Sequence, residues 1–175
     1  RDITKKKMNG QAKAMLVTSS RLHAVRYYYE FKEYIEEQGY DDLDVLVAFT
    51  GVVTDEGREY REATINKTKD GRPISERQLP DAFNTNDFNM LIVAEKYQTG
   101  FNQPKLHTMF IDKKLKGAKA VQTLSRLNRT HLGQTDTFVL DFVNQAEDIR
   151  EAFKPYFEVT ELSEAVDVNM VYDMQ

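Results

Sequence analysis

The clearest pattern in the chain is a series of short apolar runs separated by longer polar segments. Each run has about the length of a β-strand. Most are continuous rather than alternating, which is typical of strands buried on both faces of a parallel sheet. The five runs are Ala14–Val17, Val45–Phe49, Met90–Ala94, Thr108–Ile111 and Phe138–Val143. The pattern therefore predicts a parallel sheet of about five or six strands.

Three segments between or after these runs have the spacing of helices. Apolar residues recur at helical spacing over Arg21–Gln38, where a serine can cap the start and Gly39 can follow the end. The patterns of Lys119–Thr130 and Gln145–Phe153 predict two more helices. Strands that alternate with helices predict an α/β fold with right-handed crossovers.

The segment from Val52 to Asn89 is different from the rest of the chain. It is polar, has weak periodicity and contains Pro73 and Pro80. We therefore expect a long loop with a short helix near Ser75–Leu79. A loop of that length within a compact domain usually has a function or is partly disordered.

Patterning also sets the expected limits of the domain. The apolar runs and predicted helices occupy residues 13–157, which we predict to form one domain. Residues 1–12 are expected to be a linker from a preceding domain, and residues 158–175 an acidic linker after it. Because the first residue is Arg1 rather than Met, we expect a fragment of a longer protein.

Composition is that of an ordinary globular protein, with 41% hydrophobic and 30% charged residues. No apolar run approaches the ~20 residues that a membrane-spanning helix needs. The absence of cysteine excludes disulfides and thiolate metal sites and fits a reducing compartment, so we expect a cytoplasmic protein. The three histidines are scattered and have no metal-ligand spacing, so no metal site is predicted.

Charge is distributed unevenly along the chain. The net charge of -4 argues against a general nucleic-acid binder. However, the segment from Lys105 to His131 is strongly basic and contains Asp112 as its acidic residue, whereas the segment after Asp136 is acidic. A local basic stripe can contact phosphate, although the same pattern is typical of a solvated helix face.

Two arginines stand out in the predicted helix Lys119–Thr130. Gln122, Arg126 and Arg129 are spaced so that they share one helix face, while the leucines between them point toward the core. Guanidinium groups held in parallel suit phosphate because they are always charged and donate in a planar fork. The spacing alone favours an exposed polar helix face with no such role.

Polar residues also follow two of the predicted strands. Thr99, Gly100 and Asn102 come after the third apolar run, and ligands of parallel sheets gather at the carboxyl ends of strands. Ser20 and Arg21 follow the first run and begin a helix, where free N–H groups favour anions. The simpler role for this serine is helix capping, and the two roles can coexist.

In their order along the chain, these segments resemble motifs IV, V and VI of superfamily 2 helicases. With their flanks they resemble the R (restriction) subunit of type I restriction-modification enzymes. The plan of that subunit is a nuclease domain followed by two RecA-like motor domains and a helical region. The resemblance covers about residues 13–157. The segments that carry it are Ala14–Arg21, Val93–Pro104, Thr108–Leu115, Ala120–Thr130 and Thr137–Asn144.

The resemblance implies a role at a nucleotide for residues of motifs V and VI. Arg129 matches the arginine finger that reaches the γ-phosphate of ATP on a partner domain, and Arg126 matches a second arginine that faces the nucleotide. Gln122 opens motif VI and is expected to order these arginines. Gly100 and Asn102 match the glycine and the acidic position of motif V. Asparagine replaces the usual aspartate there, which removes a charge.

The resemblance also implies contacts to DNA. Thr99, Ser20, Arg21 and Thr50 match positions that touch the DNA backbone in related motors. The chain has no Gly-x-x-x-x-Gly-Lys-Ser/Thr segment and no Walker B Asp-Glu pair. ATP and Mg²⁺ are therefore expected to be bound mainly by the first RecA-like domain of the same polypeptide. We expect the chain to be inactive alone.

The implied function is that of the second motor lobe of an ATP-dependent type I site-specific deoxyribonuclease and translocase. The expected partners are double-stranded DNA, the first RecA-like domain, and the modification and specificity subunits, with no membrane. One alternative is the C-terminal lobe of another superfamily 2 DNA or RNA helicase. Another is a stand-alone nucleotide-binding or protein-interaction module.

Overall fold

The computed structural model describes residues 10–97, 101–127 and 137–157. None of the helices in these three ranges is long and apolar enough to cross a membrane. The strands are β1 (Lys13–Thr18), β2 (Val45–Ala48), β3 (Val52–Asp55), β4 (Arg58–Arg61), β5 (Met90–Val93), β6 (Leu106–Asp112) and β7 (Phe138–Asp141). The helices are α1 (Arg21–Glu37), α2 (Glu62–Ile65), α3 (Leu79–Asn84), α4 (Ala118–Leu124) and α5 (Ala146–Phe157).

Five strands form one parallel sheet in the order β2-β5-β1-β6-β7. Each of them coincides with one of the five apolar runs, so the predicted strands and the predicted parallel sheet are confirmed. Strands β1, β2 and β5 are buried along their whole length, as continuous apolar runs require. Because β2, β5 and β1 are neighbours, the turns that follow these three strands lie side by side at the carboxyl edge of the sheet.

Alternate residues of the strands pack into two core layers, because successive side chains of a strand point to opposite faces. Leu91 of β5 belongs to one layer, which also contains Phe83 of α3 and buried residues of α5. Ile92 belongs to the other layer, together with Val25 and Tyr28 of α1. Helix α1 therefore covers one face of the sheet, and α3 and α5 pack on the opposite face.

The structure confirms the first predicted helix and corrects the second. Helix α1 spans Arg21–Glu37, close to the predicted range. Helix α4 ends at Leu124, whereas the pattern predicted a helix to Thr130. A turn follows, in which the N–H of Leu127 donates to the carbonyl of Leu124. The helical spacing assumed for Gln122 and Arg126 therefore does not hold, because the helix has ended before the arginine.

The segment from Val52 to Asn89 contains regular structure, so the prediction of a long loop is wrong. Strands β3 and β4 form an antiparallel hairpin. Its two-residue turn, Glu56-Gly57, has positive φ at both positions (48° and 78°), as the common tight hairpin turn requires. The predicted short helix forms four residues later as α3, with Pro80 in its first turn.

Polar side chains from the segment after the hairpin seal the outer edge of β2. Asn66 is fully buried, accepts a hydrogen bond from the N–H of Val47 (2.9 Å) and donates to the carbonyl of Val47 (2.7 Å). A carboxylate oxygen of Glu62 accepts the N–H of Phe49 at 2.8 Å. These contacts satisfy backbone groups that an edge strand would otherwise leave open to another chain.

A buried lysine lies at the amino end of the sheet, opposite the carboxyl edge. Lys13 is 1% exposed, and its ammonium donates to the carbonyls of Thr85 and Phe88 and lies 5.5 Å from the centre of the Phe83 ring. Burial, and to a lesser extent the charge of Lys105, lowers the pKa of this ammonium to about 8. The side chain thus ties the connection between α3 and β5 to the start of β1.

Candidate functional site

Arg21 and Thr50 meet at the carboxyl edge of the sheet, where they follow β1 and β2, the strands on either side of β5. Nη1 of Arg21 donates to the carbonyl of Thr50 at 2.9 Å. Both residues are exposed, so the guanidinium is held at one point and still faces solvent. The arrangement presents a fixed positive charge beside a turn of the main chain.

Gly51 makes this contact possible. Its φ is +74°, a conformation that residues with a side chain rarely adopt. A Cβ atom at this position would lie 3.1 Å from Nη1 of Arg21. The absence of a side chain therefore serves both the turn itself and the approach of the arginine.

Ser20 caps α1, as the simpler interpretation of this residue predicted. Its hydroxyl accepts a hydrogen bond from the N–H of His23 at 3.1 Å. The turn is also tied to the neighbouring strand, because the hydroxyl of Thr18 donates to the carbonyls of Ser20 and Val93, both at 3.0 Å. The start of α1, and with it Arg21, is held in register with the end of β5. A phosphate contact by Ser20 stays a prediction.

Arg126 is buried and holds the main chain of the motif V segment. It is 6% exposed, and its Nη1 donates to the carbonyl of Phe101 at 2.9 Å. The Phe101 ring packs against the rings of Tyr97 (4.5 Å between centres) and Phe83 (6.1 Å). The segments predicted as motifs V and VI are therefore joined by a direct hydrogen bond.

The remaining predicted site residues are distributed more widely. Gln122 and Asn102 are exposed. Phe101, the partner of Arg126, packs in the core layer opposite α1, whereas Arg21 begins α1. The structure therefore places Arg21 and Arg126 in separate groups of contacts. Arg129, Thr99 and Gly100 lie outside the described residues, and their roles stay predictions.

A buried ion pair at the same edge escaped the sequence analysis. The ammonium of Lys96 lies 3.0 and 2.8 Å from the two carboxylate oxygens of Glu62, and 2.8 Å from Glu76. Burial raises the pKa of the Glu62 carboxyl, and this is opposed by the Lys96 ammonium and the N–H of Phe49. Glu62 stood in the predicted loop, so its sequence context gave no sign of a buried partner.

The predicted basic stripe is partly neutralised by α5. Lys114 forms an ion pair with Asp148 of that helix at 2.6 Å. Lys116 and Lys119 are exposed to solvent. The stripe thus keeps some exposed positive charge, but an acidic helix lies beside it.

Comparison with known proteins identifies the family of this domain. A family model for domain 3 of the type I restriction enzyme R subunit matches residues 53–144. The chain belongs to this family. The matched range of the R-subunit domain begins in the β3–β4 hairpin and ends just after β7, so it includes Glu62 and Asn66, which seal the edge of β2, and the Lys96–Glu62 pair. The predicted resemblance to the R subunit is confirmed.

Longer relatives contain this R-subunit domain as a small part. The HindI endonuclease subunit of Haemophilus influenzae is 27% identical over 168 residues, covering 92% of this chain and 16% of that protein. A protein assigned as the MjaIXP endonuclease subunit of Methanocaldococcus jannaschii is 26% identical over 161 residues, covering 92% of this chain and 15% of that protein. The chain therefore spans about a sixth of the length of these relatives.

A solved structure supports the fold of the R-subunit domain. It is a fragment assigned to the HsdR subunit of a type I restriction enzyme from Vibrio vulnificus, with a TM-score of 0.55 and 13% identity. The match covers 90% of this chain and 27% of that one. Together with the five-stranded parallel sheet, it confirms the predicted RecA-like α/β fold.

Proposed function

We propose that this chain is the second motor lobe of an ATP-dependent DNA translocase within a type I restriction endonuclease. The observation that carries the proposal is membership in the R-subunit domain 3 family, on a RecA-like fold. This membership favours the R subunit over other superfamily 2 helicases and over a stand-alone binding module. The turns at the carboxyl edge of the sheet offer the chemistry that such a lobe needs.

In this proposal, the turns after β1 and β2 contact the backbone of double-stranded DNA. Arg21 is exposed, positively charged and held by the Thr50 carbonyl, and Ser20 lies directly before it. Contacts of this kind position a protein on DNA without reading its sequence. Thr99 belongs to the same proposed contact surface. Counterion release would make the contacts sensitive to salt.

The nucleotide role is proposed for the residues of motifs V and VI. Arg129 would approach the γ-phosphate of a nucleotide held by the first RecA-like domain, where its charge would stabilise the transferring phosphoryl group. Bound ATP with Mg²⁺ would supply the phosphoryl transfer that drives movement. Arg126 suits a supporting role, because its hydrogen bond to Phe101 fixes the main chain next to Asn102. Gln122 and Gly100 complete the proposed nucleotide-facing set.

The proposed assembly follows from the incomplete site. The chain contains no phosphate-binding loop of its own, so the proposal requires the first RecA-like domain of the same polypeptide. Modification and specificity subunits are the further partners proposed, and the cytoplasm is the proposed compartment. The acidic segment 158–175 is proposed to lead to a helical region.

The proposal is tested by replacing Arg129 with alanine in the full-length R subunit and measuring ATP turnover in the presence of DNA. Arginine fingers contribute roughly 10³- to 10⁵-fold to turnover in GTPases, so we expect a loss of at least about two orders of magnitude. The matched control is Arg77→Ala, an exposed arginine before α3. Wild-type turnover in Arg129→Ala would refute the arginine-finger assignment.

A further inference from the structure

Two turns of the proposed motor lobe are joined by side chains that the family resemblance did not point to. Lys96 is the third residue after the end of β5, near the start of the motif V segment. Its side chain is 10% exposed, and that of Glu62 is 6% exposed. Glu76, the second carboxylate near Lys96, is 69% exposed, so the buried contact is the one to Glu62.

Glu62 extends this contact to the turn after β2. One of its carboxylate oxygens accepts the N–H of Phe49 at 2.8 Å while also contacting Lys96. The next residue is Thr50, whose carbonyl accepts the hydrogen bond from Arg21. A continuous series of contacts therefore runs from the exposed arginine, through the β2 turn and Glu62, to Lys96.

The backbone around Lys96 is in a conformation that needs support. Glu95 and Tyr97, the residues on either side, have φ values of +58° and +60°. This region is unfavourable for residues with a Cβ atom and persists where the surrounding structure holds it. The ion pair holds the centre of this turn, and the packing of Tyr97 against Phe101 holds its far side.

Stability alone is a weak reason for a buried ion pair. Transferring two charges from water into the protein costs much of the free energy that their attraction provides. Apolar pairs of similar volume are often as stabilising. What an ion pair adds is a defined geometry between the two segments that carry it. Here those segments are the turn beside the proposed DNA contact and the start of motif V.

We propose that Glu62 and Lys96 act as a positioning pair that transmits the state of the DNA-facing turn at Thr50 to the motif V segment. The inference rests on the proposed function. Neither residue touches DNA or nucleotide in this proposal. They set the relative position of the two turns that do. Loss of the pair should weaken the coupling between DNA binding and ATP turnover.

The test measures ATP turnover of the full-length R subunit as a function of DNA concentration. For Lys96→Met we expect the half-saturating DNA concentration to rise by roughly two- to thirtyfold, the range that couplings along such networks produce. The matched control is Lys32→Met, which removes a 2.7 Å ion pair to Asp44 at the opposite end of β2. It is expected to keep the wild-type half-saturating concentration. Lys96→Arg keeps the charge, so we expect it to raise the half-saturating DNA concentration less than Lys96→Met does.

A purely structural role predicts a different result. It would reduce the fraction of active enzyme, and so the maximal rate, while the half-saturating DNA concentration stayed at the wild-type value. That outcome in Lys96→Met, with the folded fraction followed by thermal unfolding, would overturn the inference. The double variant Glu62→Gln/Lys96→Met adds a second test. The pair acts as a unit if the double variant shifts the DNA dependence no more than Lys96→Met, and independent, multiplying shifts would overturn the inference.

Failure of this inference is distinguishable from failure of the proposed function. If the wild-type subunit hydrolyses ATP without any response to DNA, the motor proposal fails and the positioning role fails with it. If the wild type responds to DNA but Lys96→Met and Lys32→Met give the same DNA dependence, the positioning role alone is overturned.

Discussion

Replacing Gly51 with alanine tests the proposed DNA contact most directly. The substitution adds one methyl group at a position whose φ is +74° and places it 3.1 Å from Nη1 of Arg21. Two effects follow. The backbone is strained, and the guanidinium must shift by a few tenths of an ångström, which disturbs its 2.9 Å hydrogen bond to the Thr50 carbonyl.

The first effect sets the magnitude of destabilisation. A residue with a Cβ atom in the left-handed region costs about 1–2 kcal/mol relative to glycine. The arginine is exposed and can shift, so its displacement adds little to the free energy of unfolding. Gly57→Ala provides the control, because its φ is +78° and no atom lies within 4 Å of the added Cβ. Both variants are expected to lose the same 1–2 kcal/mol or so in urea unfolding.

The second effect separates the two variants in DNA binding. We expect Gly51→Ala to weaken DNA binding by the full-length subunit, and Gly57→Ala to bind like the wild type. If Arg21 neutralises one phosphate, its displacement should also reduce the slope of log affinity against log salt concentration by up to about one. Filter binding or anisotropy over a salt series measures both quantities. Equal affinities and equal slopes for the two variants would refute the assignment of Arg21 to DNA.

Two further predictions concern the sheet. Asn66→Ala removes the side chain that pairs with the buried N–H and carbonyl of Val47, and it is expected to lower the free energy of unfolding by about 2–4 kcal/mol. The control Asn84→Ala replaces an exposed residue and is expected to cost less than about 0.5 kcal/mol. Similar urea midpoints for the two variants would contradict this prediction. The pKa of Lys13 is lowered from 10.5 to about 8, mainly by burial and then by Lys105, so the unfolded chain binds more protons between these values and stability rises with pH. From about pH 8 to about pH 9.5 the free energy of unfolding of the wild type should rise by about 1.5 kcal/mol, and that of Lys13→Met should not. Parallel profiles of stability against pH for the two proteins would refute the lowered pKa.

The strands were predictable because their signal is local. A continuous apolar run such as Val45–Phe49 is compatible with few structures other than a buried strand. The end of α4 was harder to predict from the sequence, since Ser125 and Arg126 are equally compatible with a continuing helix. The β3–β4 hairpin carried a recognisable turn at Glu56-Gly57, but both strands are only four residues long, and β4 is mostly polar and exposed, like a loop.

Some features of the candidate site could also be predicted from the sequence, and others could not. The location of Arg21 and Thr50 at one edge of the sheet could be anticipated, because both follow strands of a parallel sheet, whereas their direct contact depends on a strand order in which β5 lies between β1 and β2. The pair of Glu62 and Lys96 could not, since its members lie 34 residues apart and meet through tertiary packing. The burial of Arg126 was also beyond the sequence, because a charged residue after a helix is most often exposed.

The sealed edge of β2 has a consequence for the behaviour of the domain in concentrated solution. An uncovered edge strand recruits strands from other molecules and so starts aggregation. This domain blocks that route with side chains instead of an additional strand, and the block depends heavily on Asn66. Loss of that residue would therefore affect more than folding energy. It would convert one side of the domain into a template for self-association, visible as concentration-dependent light scattering before any loss of secondary structure.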